Sequence, residues 1–360
     1  MTFTLDEISI LCVYSAMAVY AIAFIAYAID LAKRGAAAAK AADASAEAAP
    51  VAEAARVGVG ATTGASAASG AAGASALSDA TDGGAGRGRR SRWQRATELG
   101  ATVEYGRSPA LRVAVAMTVV AWLLHLAGAI LRGIAAERVP WANMYEFALT
   151  GTLLVTTVYL VVILISKQDL RFLGTFISGL VLVLLGVATV NFYVSVVPLP
   201  PALQSAWLII HVFVASAAVG VFALGFALSV VQLLQARRES IVASAESVKR
   251  SFLATLPSSN ALENLAYRLN IVGFILWTFT LIAGAVWAEK AWGRYWGWDT
   301  KEVWTFIIWV VYAGYIHARA TRGWRGSRSA WLAIIGFSTV LFNFTVVNLF
   351  FKGLHAYSGL

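Results

Sequence analysis

The sequence predicts an all-α integral membrane protein of about eight transmembrane helices with a tryptophan-rich segment on its outer face. Three observations carry this expectation. Of the 360 residues, 59% are hydrophobic and only 13% are charged, with a mean hydropathy of +0.71; soluble domains lie near ~45–50% apolar and ~25% charged. Several apolar runs reach the roughly 20 residues that a helix needs to cross a hydrocarbon core. Inside lipid each backbone polar group must find its partner within the segment, so the spans are expected to be helices. The net charge of +9 does not signal a nucleic-acid partner, because the basic residues lie mostly in the loops between apolar runs, where they act as topology signals. Cys12 is the one cysteine, which excludes an internal disulfide and any CxxC metal or redox pair.

The spans are expected at about 8–31, 110–132, 143–166, 171–191, 204–235, 265–288, 303–320 and 329–351. The first is read as a retained helix, not a cleavable signal. Asp6 and Glu7 precede it and Lys33 and Arg34 follow it, whereas a signal peptide carries its positive charges first. The fifth run exceeds one span and is expected to continue as helix past the interface. Residues 35–108 are dominated by Ala, Gly, Ser and Thr and end in Arg87, Arg89, Arg90 and Arg92. Without large apolar residues to offset chain entropy, this stretch is expected to be a mostly disordered cytoplasmic linker, with its basic end against anionic lipid. The expected organisation is therefore an N-terminal helix (1–34), a linker (35–108) and a transmembrane domain (109–360).

Charge in the loops sets the expected orientation. With the N-terminus outside, the inner loops hold Lys167 and Arg171, then Arg237, Arg238, Lys249 and Arg250, then Arg319, Arg322, Arg325 and Arg328. The outer connections are poorer in Lys and Arg, as the positive-inside rule requires. The outer segment with Lys290, Arg294 and Lys301 is the exception, and Glu289, Asp299 and Glu302 lie beside those cations.

That same segment carries the chemistry. From Trp287 to Trp304 it reads W-A-E-K-A-W-G-R-Y-W-G-W-D-T-K-E-V-W, and with Trp309 it holds six of the thirteen tryptophans. An interfacial aromatic belt is one reading. A ligand platform is the other, favoured by Gly293 and Gly297 interleaved with Trp292, Trp296 and Trp298 and closed by Asp299. Glycine permits close approach to a ligand, and indole faces suit a flat aromatic one.

Histidines near or inside a span are candidate sites because of their cost there. His211 lies about seven residues into the fifth span, and His355 follows the last; both fall on the same outer side as the tryptophans. Two imidazoles beside a flat aromatic platform are the components of a bis-histidine heme site. His317 is deeper, roughly 21 Å below the outer end at 1.5 Å per residue, and His125 lies nearer the outer leaflet, so the two are not expected to share one iron. His125 reads as a packed, hydrogen-bonded residue. Asn143 and Glu146 have the spacing of a capping box at the start of the third span. Arg132, Arg138 and Arg294 are candidate partners for the propionates of a bound heme.

The WGRYWGWDTKEVW run (Trp292–Trp304) resembles the WWD motif of the heme-handling superfamily. Asn143-Met144-Tyr145-Glu146, His211 in SAWLIIHV and His355 in GLHAYSGL are similar to the CcsA/ResC branch, which belongs to the System II pathway of cytochrome c biogenesis. The resemblance covers about residues 110–360 and the first span, not the linker. It implies non-covalent, transient binding of heme b on the extracytoplasmic side by Trp292, Trp296, Trp298 and Asp299, with His211 and His355 as axial iron ligands. It implies that His317 helps to hold a second, membrane-embedded heme with a histidine from a ResB-like partner. It further implies heme transport to apocytochrome c and a place in a cytochrome c synthase complex in the cell membrane, with the WWD segment and C-terminus extracytoplasmic. His125 corresponds to none of the family's ligands. The chain has no CxxCH of its own, so it is expected to pass heme on. Two other readings remain: a heme b electron-transfer subunit, and a lipid-linked transferase using Asp299 and Glu302.

Overall fold

The computed structural model describes residues 4–59, 108–166, 168–196, 204–244, 252–321, 323–351 and 353–355, with backbone alone for 41–59. These residues are helical with loops and contain no strand. The helices are α1 (Leu5–Val59), α2 (Pro109–Ala135), α3 (Met144–Ile165), α4 (Gly174–Asn191), α5 (Ala206–Ala243), α6 (Ser259–Trp292), α7 (Thr300–Thr321) and α8 (Ser327–Phe342). A π-helical turn, Asn343–Val347, and a last turn, Asn348–Phe350, prolong α8. Two compact units are present: one comprises residues 1–32, 108–249 and 256–360, the other 33–107 and 250–255. In the second, α1 runs on to Val59 through the Ala-rich stretch, and a short 3-10 turn forms at Phe252–Thr255. The remainder of the expected linker, 60–107, lies outside the described residues.

Seven of these helices are long and apolar enough to cross a bilayer, and the chain is an all-α, multi-pass membrane protein. Large apolar side chains point outward, including Leu164 at 82% and Val190 at 77% exposed, which suits lipid and would be unusual against water. The helix that departs from the expected eight is α7. Its 22 residues include Lys301, Glu302, His317 and Arg319, together with tryptophans and tyrosines that score as less apolar than Leu or Ile. It nevertheless runs antiparallel along α6: the Trp277 indole donates to Thr305 O (3.1 Å), Trp309 to Thr278 Oγ1 (3.0 Å) and Arg319 to Glu263 Oε1 in the first turns of α6 (3.1 Å). The long fifth run is realised as the 38-residue α5, about 57 Å at 1.5 Å per residue.

At one end of the bundle four helix ends are tied by a single guanidinium. Arg132, fully buried at the end of α2, donates to Asp6 before α1's first full turn closes (2.6 Å), to Glu146 at the start of α3 (3.0 Å) and to Val194 O just past α4 (2.8 Å). Arg138 adds a second bond to Glu146 (2.7 Å). Asn143 caps α3 through Glu146 N (2.9 Å) as its spacing predicts, but the Glu146 carboxylate reaches back to Ala142 N (2.9 Å) rather than to Asn143 itself. At this same end Trp141, Leu208, Val212 and Trp287 pack together and bring the starts of α3 and α5 against the end of α6.

Candidate functional site

The site is built where α6 gives way to α7. Helix α6 stops at Gly293, whose φ of +70° and N–H to Glu289 O (2.8 Å) form a left-handed cap open to glycine at little cost. The chain then makes a tight turn before Asp299, whose carbonyl accepts the first bond of α7 from Val303 N (3.0 Å). Glu302 holds this turn closed: one carboxylate oxygen accepts from Gly297 N (2.8 Å) and Asp299 N (3.1 Å), one residue on either side of Trp298. Trp298 is thereby left with φ of +59° and its indole 77% exposed. A left-handed conformation is strained for a bulky residue.

The two histidines meet around Trp287. The His211 ring lies nearly parallel to that indole (centroids 5.9 Å, 13°), and His355 meets it edge-on at 5.5 Å. Trp292 completes the cluster, 4.8 Å from both Trp287 and His355. The seat of His211 requires Gly284, since a methyl there would lie 2.7 Å from the imidazole Cε1.

Hydrogen bonding fixes the reactive nitrogen of each ring. His211 Nδ1 is 3.0 Å from Thr280 O, and a carbonyl only accepts, so Nδ1 carries the proton and Nε2 keeps its lone pair. His355 Nδ1 is 2.6 Å from Asp299 Oδ2, again an acceptor. The imidazole beside it holds the Asp299 carboxyl below its ordinary range, so it stays anionic and orients the ring. Both rings therefore offer Nε2, the arrangement in which a backbone carbonyl or carboxylate orients a metal-binding imidazole.

The histidines border two cavities. One, of about 190 Å³, is largely apolar and extends along α5 from Leu208 to Ala223, with Val155 of α3 and Phe337 of α8 in its wall. The other, of about 80 Å³, lies under Tyr295 and Trp296. His211, His355, Thr280, Lys301 and Thr305 line both. Among the described residues no group of three His, Cys, Asp or Glu could hold a bare metal ion. Iron in a porphyrin already has four ring nitrogens and needs only two axial ligands, the number of imidazoles at this site.

The remaining expected site residues are dispersed. Trp296 lines the smaller cavity, whereas Trp298 meets Trp296 at right angles (5.9 Å) and projects outward, so the tryptophans do not form one flat shelf. His317 is exposed on α7, one turn before its end. His125 is fully buried with both nitrogens engaged: Nε2 with Leu149 O (2.8 Å) and Nδ1 facing the Tyr20 hydroxyl (3.4 Å). Arg132 and Arg138, expected as propionate partners, are committed to Glu146; Arg294 is exposed over Gly297. Sequence reasoning missed Trp287 as the hub and Lys301 as a wall of the cavities. The signal for Lys301 was a cation in the first turn of a helix expected to span the membrane.

These features define an all-α membrane protein with a paired-histidine, indole-walled pocket at one end of its bundle. Residues 141–355 match the model of the cytochrome C assembly protein family, and the chain belongs to that family. It is similar to the cytochrome c biogenesis protein CcsA of Guillardia theta, at 37% identity over 64% of this chain and 80% of the relative. The CcsA of Trieres chinensis is 34% identical over 64% and 81%, and that of Prochlorococcus marinus 41% identical over a shorter stretch, 44% of this chain and 56% of the relative. The chain is thus a CcsA-type cytochrome c biogenesis protein, with a role in cytochrome c maturation.

Proposed function

We propose that this chain binds heme at the His211–His355 pocket on the extracytoplasmic face and presents it for attachment to the CxxCH thiols of an apocytochrome c, together with a ResB-like partner. The single observation that carries the reading is that both imidazoles spend Nδ1 on a fixed acceptor and offer Nε2 within one indole-walled site. The heme supplies vinyl groups across which the two thiol S–H bonds add, forming thioethers without net oxidation. The protein's part is to hold the iron from two sides, to pack indoles against the macrocycle and to keep the ring oriented. Trp292 and Trp296 are the walls, Asp299 orients His355, and Trp298 projects toward the side from which a polypeptide arrives. His317, exposed on α7, has its side chain free to meet a histidine of the partner across the helix surface, in the role of a ligand to a second heme entering from the cytoplasmic side.

The rival readings have less support. A heme b electron-transfer subunit needs paired deep histidines, but His125 has both nitrogens hydrogen-bonded within the bundle. A transferase needs acids free for proton transfer, but Asp299 is paired with His355 and Glu302 with two backbone N–H groups.

The test is the visible spectrum of the full chain, purified with and without its partner, beside c-type cytochrome maturation in cells. His211→Ala and His355→Ala are expected to lose the low-spin spectrum and abolish maturation, with rescue by added imidazole. Normal maturation in both variants would sink the outer-site reading. Orientation has a separate check. In a Cys12→Ser background, Tyr295→Cys, at a position 64% exposed, is expected to react with an impermeant thiol reagent added from outside; reaction from the cytoplasm alone would invert the topology.

A further inference from the structure

Lys301 is the one lysine or arginine among the described residues that lines the cavities bordered by His211 and His355. The other cations at this end are spent or turned away: Arg132 and Arg138 on Glu146, Arg294 at the exposed surface. Lys301 makes no salt bridge within 4.0 Å among the described residues, and the Asp299 carboxylate acts on it only at longer range. Its ammonium is held by two neutral acceptors, Asn348 Oδ1 and Asn343 O (3.4 Å). Both belong to the irregular end of α8. A π-helical turn lets backbone carbonyls leave the regular ladder, and such turns gather at functional sites. The Asn343 side chain, 5% exposed, lines the larger cavity and has a buried Oδ1 with no hydrogen-bond partner among the described residues.

An ammonium ion at one edge of an otherwise apolar cavity matches an apolar ligand with a carboxylate on one edge; the unpaired Asn343 Oδ1, itself an acceptor, makes no bond to that carboxylate. A half-buried cation whose hydrogen-bond partners are neutral gains from a carboxylate through a charge-assisted bond. We propose that Lys301, presented by Asn343 and Asn348, is the receptor for a heme propionate, and so a positioning residue that sets which edge of the macrocycle faces the α7–α8 seam. This rests on the heme-site reading above. Porphyrin propionates share one edge, so their capture by Lys301 turns the vinyl-bearing edges away from that seam and leaves them for incoming thiols. The arginines that the sequence suggested for this task are replaced by a lysine two residues beyond Asp299, whose carboxylate holds an axial ligand. Iron ligation and ring orientation are thereby fixed from the same first turn of α7.

The experiment compares heme with its dimethyl ester, which retains the iron and the ring but lacks the carboxylates. Both are titrated into detergent-solubilised full chain and followed at the Soret band. Wild type is expected to prefer the free acid by on the order of tenfold, the scale of one hydrogen bond to a charged group. Lys301→Met is expected to lose that preference while still giving a low-spin bis-histidine spectrum, and Lys301→Arg to keep part of it. Taking the ratio of preferences between wild type and variant cancels the different partition of the two hemes into detergent. If wild type binds acid and ester equally, or Lys301→Met retains the preference, the assignment is overturned while the heme site stands. If neither heme gives a low-spin spectrum with wild type, the heme-site reading fails and this inference fails with it.

Discussion

The α1–α4 half of the bundle and the α5–α8 half both enclose histidine and cations, fully buried in the first and partly exposed in the second, and they treat them differently. In the first half the histidine and Arg132 are closed on partners, although Trp141 Nε1, Asn143 Nδ2, the Tyr145 hydroxyl and Thr175 Oγ1 are buried without a partner among the described residues. Arg132 spends its guanidinium on Asp6, Glu146 and Val194 O; His125 spends both nitrogens; Tyr20 donates to Thr156 Oγ1 (3.2 Å); and Tyr27 and Tyr159 join hydroxyls at 3.0 Å. In the second half polar groups stop short of closure. His211 and His355 each engage one nitrogen, Lys301 hydrogen-bonds to neutral acceptors with the Asp299 carboxylate at longer range, and Asn343 Oδ1 has no partner among the described residues. Buried polar groups are normally satisfied, and exceptions call for a reason. The comparison teaches that residue type does not separate structure from function here; whether a histidine keeps one ring nitrogen for a ligand does.

The comparison breaks most visibly at Glu146. Its carboxylate is fully buried and pairs with two arginines whose side chains are 0% and 10% exposed. Removing one member of a buried ion pair costs roughly 3–5 kcal/mol, because it strands the partner's charge. Glu146→Ala is therefore expected to prevent accumulation of the folded protein or to lower its midpoint of thermal unfolding sharply. Arg132→Met in the same chain should restore part of the loss. If Glu146→Ala folds normally but loses heme, the network belongs to the site and the division between the two halves fails.

His125 is the sharper test, since it has the same side chain as the proposed ligands in a closed environment. His125→Leu leaves Leu149 O without its closest side-chain donor and is expected to cost about 1–3 kcal/mol, read as a lower unfolding midpoint with an unchanged Soret band. A lost heme spectrum at unchanged stability would make His125 a ligand.

The distinction between the halves was only partly legible in the sequence. The apolar runs gave the bundle because lipid imposes one solution on the backbone. His211, His355 and the tryptophan run stood out because such residues are costly or unusual at their expected depth. His125 read as packed because no partner lay at its level. What escaped depends on contacts between distant residues. Lys301 reaches Asn343 and Asn348 across a π-helical turn, and no 3.6-residue periodicity predicts such a turn. Arg132 and Arg138 were expected at propionates because a guanidinium matches carboxylate geometry; in the structure that carboxylate is Glu146, which also accepts from Ala142 N. The apolar character of α7 is diluted by the residues that make the site, so composition alone undercounts it.

The smallest expected effect has the opposite sign. Trp298 holds a left-handed backbone with its indole in the open, while Glu302 pins the amides on either side. Such a conformation costs an L-residue roughly 1–2 kcal/mol, and glycine removes the cost. Little in the packing recovers it, because the residue is 77% exposed and its ring contact is the edge-on one with Trp296. Trp298→Gly is therefore expected to raise the unfolding midpoint slightly while lowering cytochrome c maturation, the trade expected where strain is kept for function. A variant that loses stability would show that the indole packs usefully where it stands. A variant that gains stability and keeps full maturation would remove Trp298 from the site and leave Trp292 and Trp296 as its walls.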